Sequence, residues 1–136
     1  VSVGTPHCVV LADVLDPGRV RLLGPKGEHH AAFPNRINVQ FARVLGRGRV
    51  AILIWERGAG FTLASGSSAC AVAAACRKNG LTDERVAVEM PGGTLAIEVA
   101  SDFSLRMTGP AEPVCEGTLS ADLEARCRAG WEPSAG

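Results

Sequence analysis

The chain has 136 residues, the size of one domain, and 46% of them are hydrophobic, which excludes a disordered tail or linker. Fourteen lysines and arginines are balanced by 14 aspartates and glutamates, so no net field exists to hold nucleic acid or an anionic membrane. Four phenylalanines, two tryptophans and no tyrosine also argue against a base-stacking platform.

Residues 9–12 form a short apolar run after Pro6 and predict a strand. Residues 15–30 carry Pro17, Gly18, Gly24, Pro25 and Gly27, so only a short helix is expected there. Two β-rich runs, residues 37–45 and 49–55, flank Gly46-Arg47-Gly48 and predict a hairpin. Residues 68–78 are alanine-rich, lack glycine and proline, end in Arg77-Lys78 and are followed by Asn79-Gly80. They predict a helix that is small and apolar all round, which belongs inside a protein with strands packed closely around it. Residues 86–90 and 94–99 flank Pro91-Gly92-Gly93 and predict a second hairpin. Further strands are expected at 103–107 and 114–119, and a short helix at 120–128 with Ser120 as N-cap. Together these elements predict an α+β fold: a mixed, mostly antiparallel sheet wrapped around a central apolar helix.

No apolar run reaches the roughly 18–20 residues that span a bilayer, and nothing at Val1 resembles a signal peptide. Cysteines at 8, 70, 76, 115 and 127 are odd in number and irregular in spacing. They suit a reducing, cytoplasmic compartment better than a disulfide framework, and without a C-x-x-C pair they do not suggest structural zinc. Cys70 and Cys76 are expected as small buried residues on different faces of the helix.

The chemistry concentrates between residues 55 and 71. The charged pair Glu56-Arg57 ends an apolar strand, a glycine-rich turn follows, and Ser65-Gly66-Ser67 opens the buried helix. The first amides of a helix have no internal partner and lie at the positive end of its dipole, so they suit a carboxylate. Glu56 can pair with an ammonium and Arg57 can take a carboxylate, which points to a zwitterionic ligand. On spacing alone, the same residues read equally well as a solvated strand end and an ordinary helix cap.

The stretch from Trp55 to Cys70 resembles the diaminopimelate epimerase signature, W-E-R-G-x-G-E-T followed by x-A-C-G-[ST]-G-A-C. It agrees at Trp55, Glu56, Arg57, Gly58, Gly60, Thr62, Ala64, Gly66, Ser67, Ala69 and Cys70. Val1-Ser2-Val3-Gly4-Thr5-Pro6-His7-Cys8-Val9 resembles V-S-[MV]-G-N-P-H-C-V, and Phe33-Pro34-Asn35-Arg36-Ile37-Asn38-Val39 resembles F-P-x-R-x-N-V. Pro91-Gly92-Gly93 and Thr108-Gly109-Pro110-Ala111 resemble the family's P-G-G and T-G-P-A. The resemblance implies two similar lobes with the substrate between them, each giving one cysteine to a two-base proton transfer at the α-carbon without a cofactor. Residues 1–119 would be the C-terminal lobe and 120–136 a tail. Glu56, Arg57 and Asn38 would bind the substrate diaminopimelate, Gly66 and Ser67 would supply donors at the helix end, and His7 would stand beside the site.

The sequence departs from that pattern at four places. Ser65 occupies the position of the catalytic cysteine, and a hydroxyl is a far weaker acid than a thiol. Cys70 matches the family's second, structural cysteine, and five helical residues set it roughly 7.5 Å along the axis. Thr5 replaces a substrate-contacting asparagine, Phe61 a glutamate and Ser68 a glycine. With the N-terminal lobe expected to be absent, this chain alone should be inactive, and its open cleft wall favours association with that lobe or, as a homodimer, with a second copy. A non-catalytic amino-acid-binding homologue and a racemase of another amino acid are the competing readings. A serine hydrolase using Ser65 or Ser67 with His7 lacks a G-x-S-x-G elbow and an acid placed to orient the histidine.

Overall fold

A computed structural model describes residues 1–129, and residues 130–136 of the tail lie outside the described residues. In chain order the elements are β1 (His7–Leu11), α1 (Pro17–Glu28), β2 (Asn38–Gly46), β3 (Arg49–Glu56), β4 (Gly60–Thr62), α2 (Gly66–Lys78), β5 (Arg85–Met90), β6 (Gly93–Val99), β7 (Leu105–Thr108) and α3 (Ala121–Ala129). The strands form one sheet in the order β1-β2-β3-β5-β6-β7, with β4 paired to β3. β1 runs parallel to β2 and β3 parallel to β5, while the other pairings are antiparallel. The sheet curls around α2, which packs against six of its strands. The fold is the mixed, mostly antiparallel wrap that the sequence predicts.

Side-chain alternation on the central strands separates two cores. Val50, Ile52 and Ile54 of β3 point to α2 and join Ala69, Val72, Ala73 and Cys76, with Val88 and Ile97 from the far strands. Leu53 and Trp55 point the other way and join Val39, Phe41 and Val20 beneath α1. The small side chains of α2 let strands approach it from several directions, as a helix apolar all round requires.

Two predicted elements need correction. The segment around Pro17 and Pro25 forms a 12-residue helix rather than a short one. Pro17 stands at the first helical position, where its missing N–H costs nothing, and Asp16 caps the helix by accepting from the Gly18 amide at 2.8 Å. Pro25 lies inside the last turn, where it gives up the backbone bond to the carbonyl four residues back. The glycines are contact points: a Cβ on Gly24 would collide with the Trp55 ring, and one on Gly27 would lie 2.9 Å from Val39 Cγ2. The strand expected at 114–119 is not formed, and the segment is exposed, with Val114 at 96%. Its residues pair with no strand of the sheet. The helix expected after Ser120 forms as α3, with Ser120 Oγ accepting from the Leu123 amide at 3.3 Å. Cys76 is fully buried as expected, whereas Cys70 is only half-buried.

The last residue of α1 braces the sheet. Glu28 is buried, and its carboxylate accepts from Trp55 Nε1 at 2.8 Å, from the Gly58 amide at 3.1 Å and from Arg36 Nη1 at 3.3 Å. Burial alone would raise its pKa, but the Trp55 and Gly58 hydrogen bonds, with His29 and Arg36 nearby, outweigh that and hold it below the usual carboxylate value. Glu56 and Arg57 sit between the two points that Glu28 grips.

Two measurements check this packing. Gly24→Ala is expected to lower stability by about 1–3 kcal/mol in urea unfolding, because the added methyl has no room beside Trp55. Glu28→Gln is expected to cost about 1.5–3 kcal/mol at pH 7 through loss of charge-assisted hydrogen bonds. Glu28's folded pKa lies below 4.5, so its contribution is full above that pH and is lost as the pH falls through the lower, folded value. Unfolding curves of the parent and the variant should therefore converge in acid; a gap that widens in acid would contradict the assignment.

Candidate functional site

Register gathers the predicted residues on the α2 side of the sheet. His7 pairs with Asn38 across β1 and β2, and Val39 pairs with Trp55 across β2 and β3. The next step along that ladder brings Asn38 opposite Glu56. Alternation then turns His7, Asn38 and Glu56 toward the face that carries α2, one residue from each of three adjacent strands.

Asn38 ties the row together. Its Nδ2 donates to the Pro6 carbonyl at 3.0 Å, and its Oδ1 accepts from the Arg57 amide at 2.9 Å. The Arg57 side chain is exposed and donates to the Asn35 carbonyl at 3.1 Å. Glu56 is half-buried and accepts from Thr62 Oγ1 at 3.2 Å. Among the described residues neither Glu56 nor Arg57 forms an ion pair, so two opposite charges stand next to one another in the chain without a charged partner.

The start of α2 supplies the other side. Ser65 is its N-cap, in extended conformation at φ −157° and ψ 122°, and its Oγ accepts from the Ser68 amide over a long 3.5 Å. Ser67 Oγ lies 3.3 Å from Ser65 Oγ. The Gly66 and Ser67 amides have no partner among the described residues, which leaves two donors at the positive end of the helix dipole. Gly66 is tightly placed, since a Cβ there would stand 2.8 Å from Met107 Sδ. A groove of about 280 Å³ opens beside Ser65 and Gly66, walled by Gly92, Gly93 and Pro110. A larger cavity of about 570 Å³, between Val1, Lys78 and Phe103, holds none of the predicted site residues.

His7 is 2% exposed, and Thr5 Oγ1 lies 3.0 Å from its Nε2. Burial is the chief cause that pushes its pKa below the ordinary 6.5; Gln40 and Glu56 oppose the shift, while the chain's ammonium and Arg57 reinforce it. The ring is therefore uncharged at neutral pH. Burial pushes the Cys70 and Cys76 thiols up, away from the thiolate that proton abstraction needs.

The departures have separate physical settings. Phe61 packs in the α1 core with Arg21 Cζ 4.1 Å from its ring centre, so it serves α1 rather than the cleft. Ser68 is fully buried, and its Oγ accepts from Gln40 Nε2 at 3.0 Å. Gln40 and Glu28 were not among the predicted residues. Gln40 lies between Val39 and Phe41 on a strand, and a polar residue at a core-facing alternate position is the signal that marks it. Glu28 carries no such signal, because its partners are 27 and 30 residues away.

Residues 1–114 match the family model for diaminopimelate epimerase. The chain is 47% identical over 124 residues to diaminopimelate epimerase 2 of Nostoc sp., covering 91% of this chain and 44% of that protein. It is 48% identical over 120 residues to diaminopimelate epimerase of Ectopseudomonas mendocina, covering 88% and 44%. Against that of Desulforudis audaxviator it is 51% identical over 118 residues, covering 86% and 42%. The chain thus spans less than half the length of these curated relatives. Among solved structures, a PhzC/PhzF-type protein from Clostridium difficile superposes with a TM-score of 0.64 at 18% identity, covering 96% of this chain and 47% of that one. The PhzF-family phenazine biosynthesis protein of Bacillus anthracis gives 0.57 at 17%, covering 76% and 34%. At that identity the two structures share the fold alone. With its signature residues set along one row of strands and one helix end, the chain belongs to the diaminopimelate epimerase family.

Proposed function

We propose that this chain forms one wall of a diaminopimelate site, in an enzyme that interconverts the LL and meso forms by moving the α-proton between opposite faces. That chemistry feeds lysine and peptidoglycan precursor synthesis and calls for no cofactor. The observation that carries the reading is the Glu56-Arg57 couple, which forms no ion pair among the described residues, on the sheet face whose Gln40 bonds Ser68 in the first turn of α2. Glu56 and Arg57, with Asn38, suit the distal amino and carboxylate groups of a substrate charged at both ends. The helix-end amides suit the α-carboxylate and would stabilise negative charge as it develops at the α-carbon.

Proton transfer itself needs two opposed acid–base groups, and Ser65 stands where this wall would carry one. An alcohol held only by a cap bond and a neighbouring hydroxyl has no base to activate it. The chain as it stands therefore binds and orients, and a second lobe completes the cleft. Ser65, together with Thr5, also supports a second reading: an amino-acid-binding homologue that performs no proton transfer.

Joining the chain to the N-terminal lobe of a family member, with Ser65 or with Ser65→Cys, separates the two. The cysteine version is expected to take α-deuterium from solvent into diaminopimelate roughly 10²–10⁴-fold faster than the serine version, followed by NMR. If both versions fold and bind diaminopimelate but neither exchanges, the binding reading replaces the enzymatic one.

A further inference from the structure

A line of buried polar groups runs beneath the cleft, and the epimerase reading leaves it unused. His7 is 2% exposed, and Gln40 and Ser68 are fully buried. At one end Gln40 Nε2 donates to Ser68 Oγ at 3.0 Å, and the Ser68 amide in turn donates to the Ser65 cap. At the other end Thr5 Oγ1 meets His7 Nε2 at 3.0 Å. Between them stand His7 Nδ1 and Gln40 Oε1, both buried and both without a hydrogen-bond partner among the described residues. The two side chains are diagonal neighbours on one face of the sheet, since His7 pairs with Asn38 and Val9 with Gln40.

A buried donor or acceptor left unmet is costly, and each of these two atoms has in the other a complementary neighbour across adjacent strands. Their roles follow from the ends of the line. Gln40 commits its NH₂ to Ser68, so its carbonyl oxygen is the atom left for the ring, and that oxygen can only accept. We propose that Gln40, anchored by Ser68, is a positioning residue that fixes the His7 proton on Nδ1, leaving Nε2 to accept from the Thr5 hydroxyl. Thr5 then donates inward and turns only lone pairs toward the cleft, where they suit a ligand's ammonium or N–H rather than its carboxylate. The place of Thr5 in the cleft rests on the proposed function; the tautomer does not. The charged groups that bear on the ring are the Val1 ammonium from the chain start, and Glu56 and Arg57 from the end of β3.

The test is long-range ¹H–¹⁵N NMR of the full chain, with the exposed His29 and His30 replaced by glutamine so that one imidazole remains. At neutral pH the spectrum is expected to show a protonated Nδ1 and a bare Nε2. Gln40→Leu removes the acceptor and is expected to move the proton to Nε2, where it can donate to Thr5. Gln40→Glu, whose carboxylate still accepts, is expected to keep the proton on Nδ1 and to raise the pH at which the ring takes a second one. Ser68→Ala frees the amide to turn over and is expected to give a mixture of the two tautomers. A protonated Nε2 in the parent chain, or an unchanged tautomer in both Gln40→Leu and Ser68→Ala with native amide spectra, overturns the proposal. Because the readout requires neither ligand nor turnover, such a failure counts against the relay alone and leaves the epimerase reading standing.

Discussion

α2 can exist only where strands surround it. Ala69, Ala71, Val72, Ala73 and Cys76 are fully buried, so the helix has hardly a side that water could cover. An isolated 13-residue helix is marginal in water, and this one is held by burial rather than by its own hydrogen bonds. The sheet must therefore curl to enclose it, and the enclosure fixes where the helix begins. Its first turn is tied to β2 through Ser68 and Gln40, two residues along that strand from Asn38.

The second core keeps the charged pair in place from behind. α1 lies on the opposite face of the sheet, pressed close through Gly24 and Gly27, and its last residue reaches through to Trp55 and Gly58. Glu56 and Arg57 hang between those two fixed points. The site is thus held from two directions: by the helix inside the wrap and by a buried carboxylate outside it.

Most of this was readable from the chain because it rests on local patterns. The alanine-rich run of α2, the two hairpins at Gly46-Arg47-Gly48 and Pro91-Gly92-Gly93, and the signature around Trp55 are all contiguous. The misjudged elements depended on distant surfaces. Pro25 and the glycines of α1 look like helix breakers until Trp55 and Val39 are seen to need that close approach. The run at 114–119 has strand-like residues yet stays exposed and unpaired beyond the edge strand β7, and nothing in the structure explains why it does not join the sheet. The three residues of β4 read as a turn, because only their pairing to the end of β3 makes them a strand. The contacts of Glu28 join residues 27 and 30 apart and leave no periodic trace, and the alternation that marks Gln40 as core-facing does not name Ser68, 28 residues on, as its partner.

The hydroxyl at the α2 cap also changes how the site meets oxidants. A cysteine at a helix N-terminus is driven toward thiolate, the form that peroxide and disulfides attack first. Ser65 has no oxidation ladder to climb. Of the remaining thiols, those of Cys70 and Cys76 are pushed toward the unreactive protonated form by burial, and Cys8 packs against the α1 core. Cys115 and Cys127 are exposed, but both lie on the segment that follows the sheet. At the start of α2, then, this chain offers an oxidant a hydroxyl, and its nearest helical thiol is the half-buried Cys70.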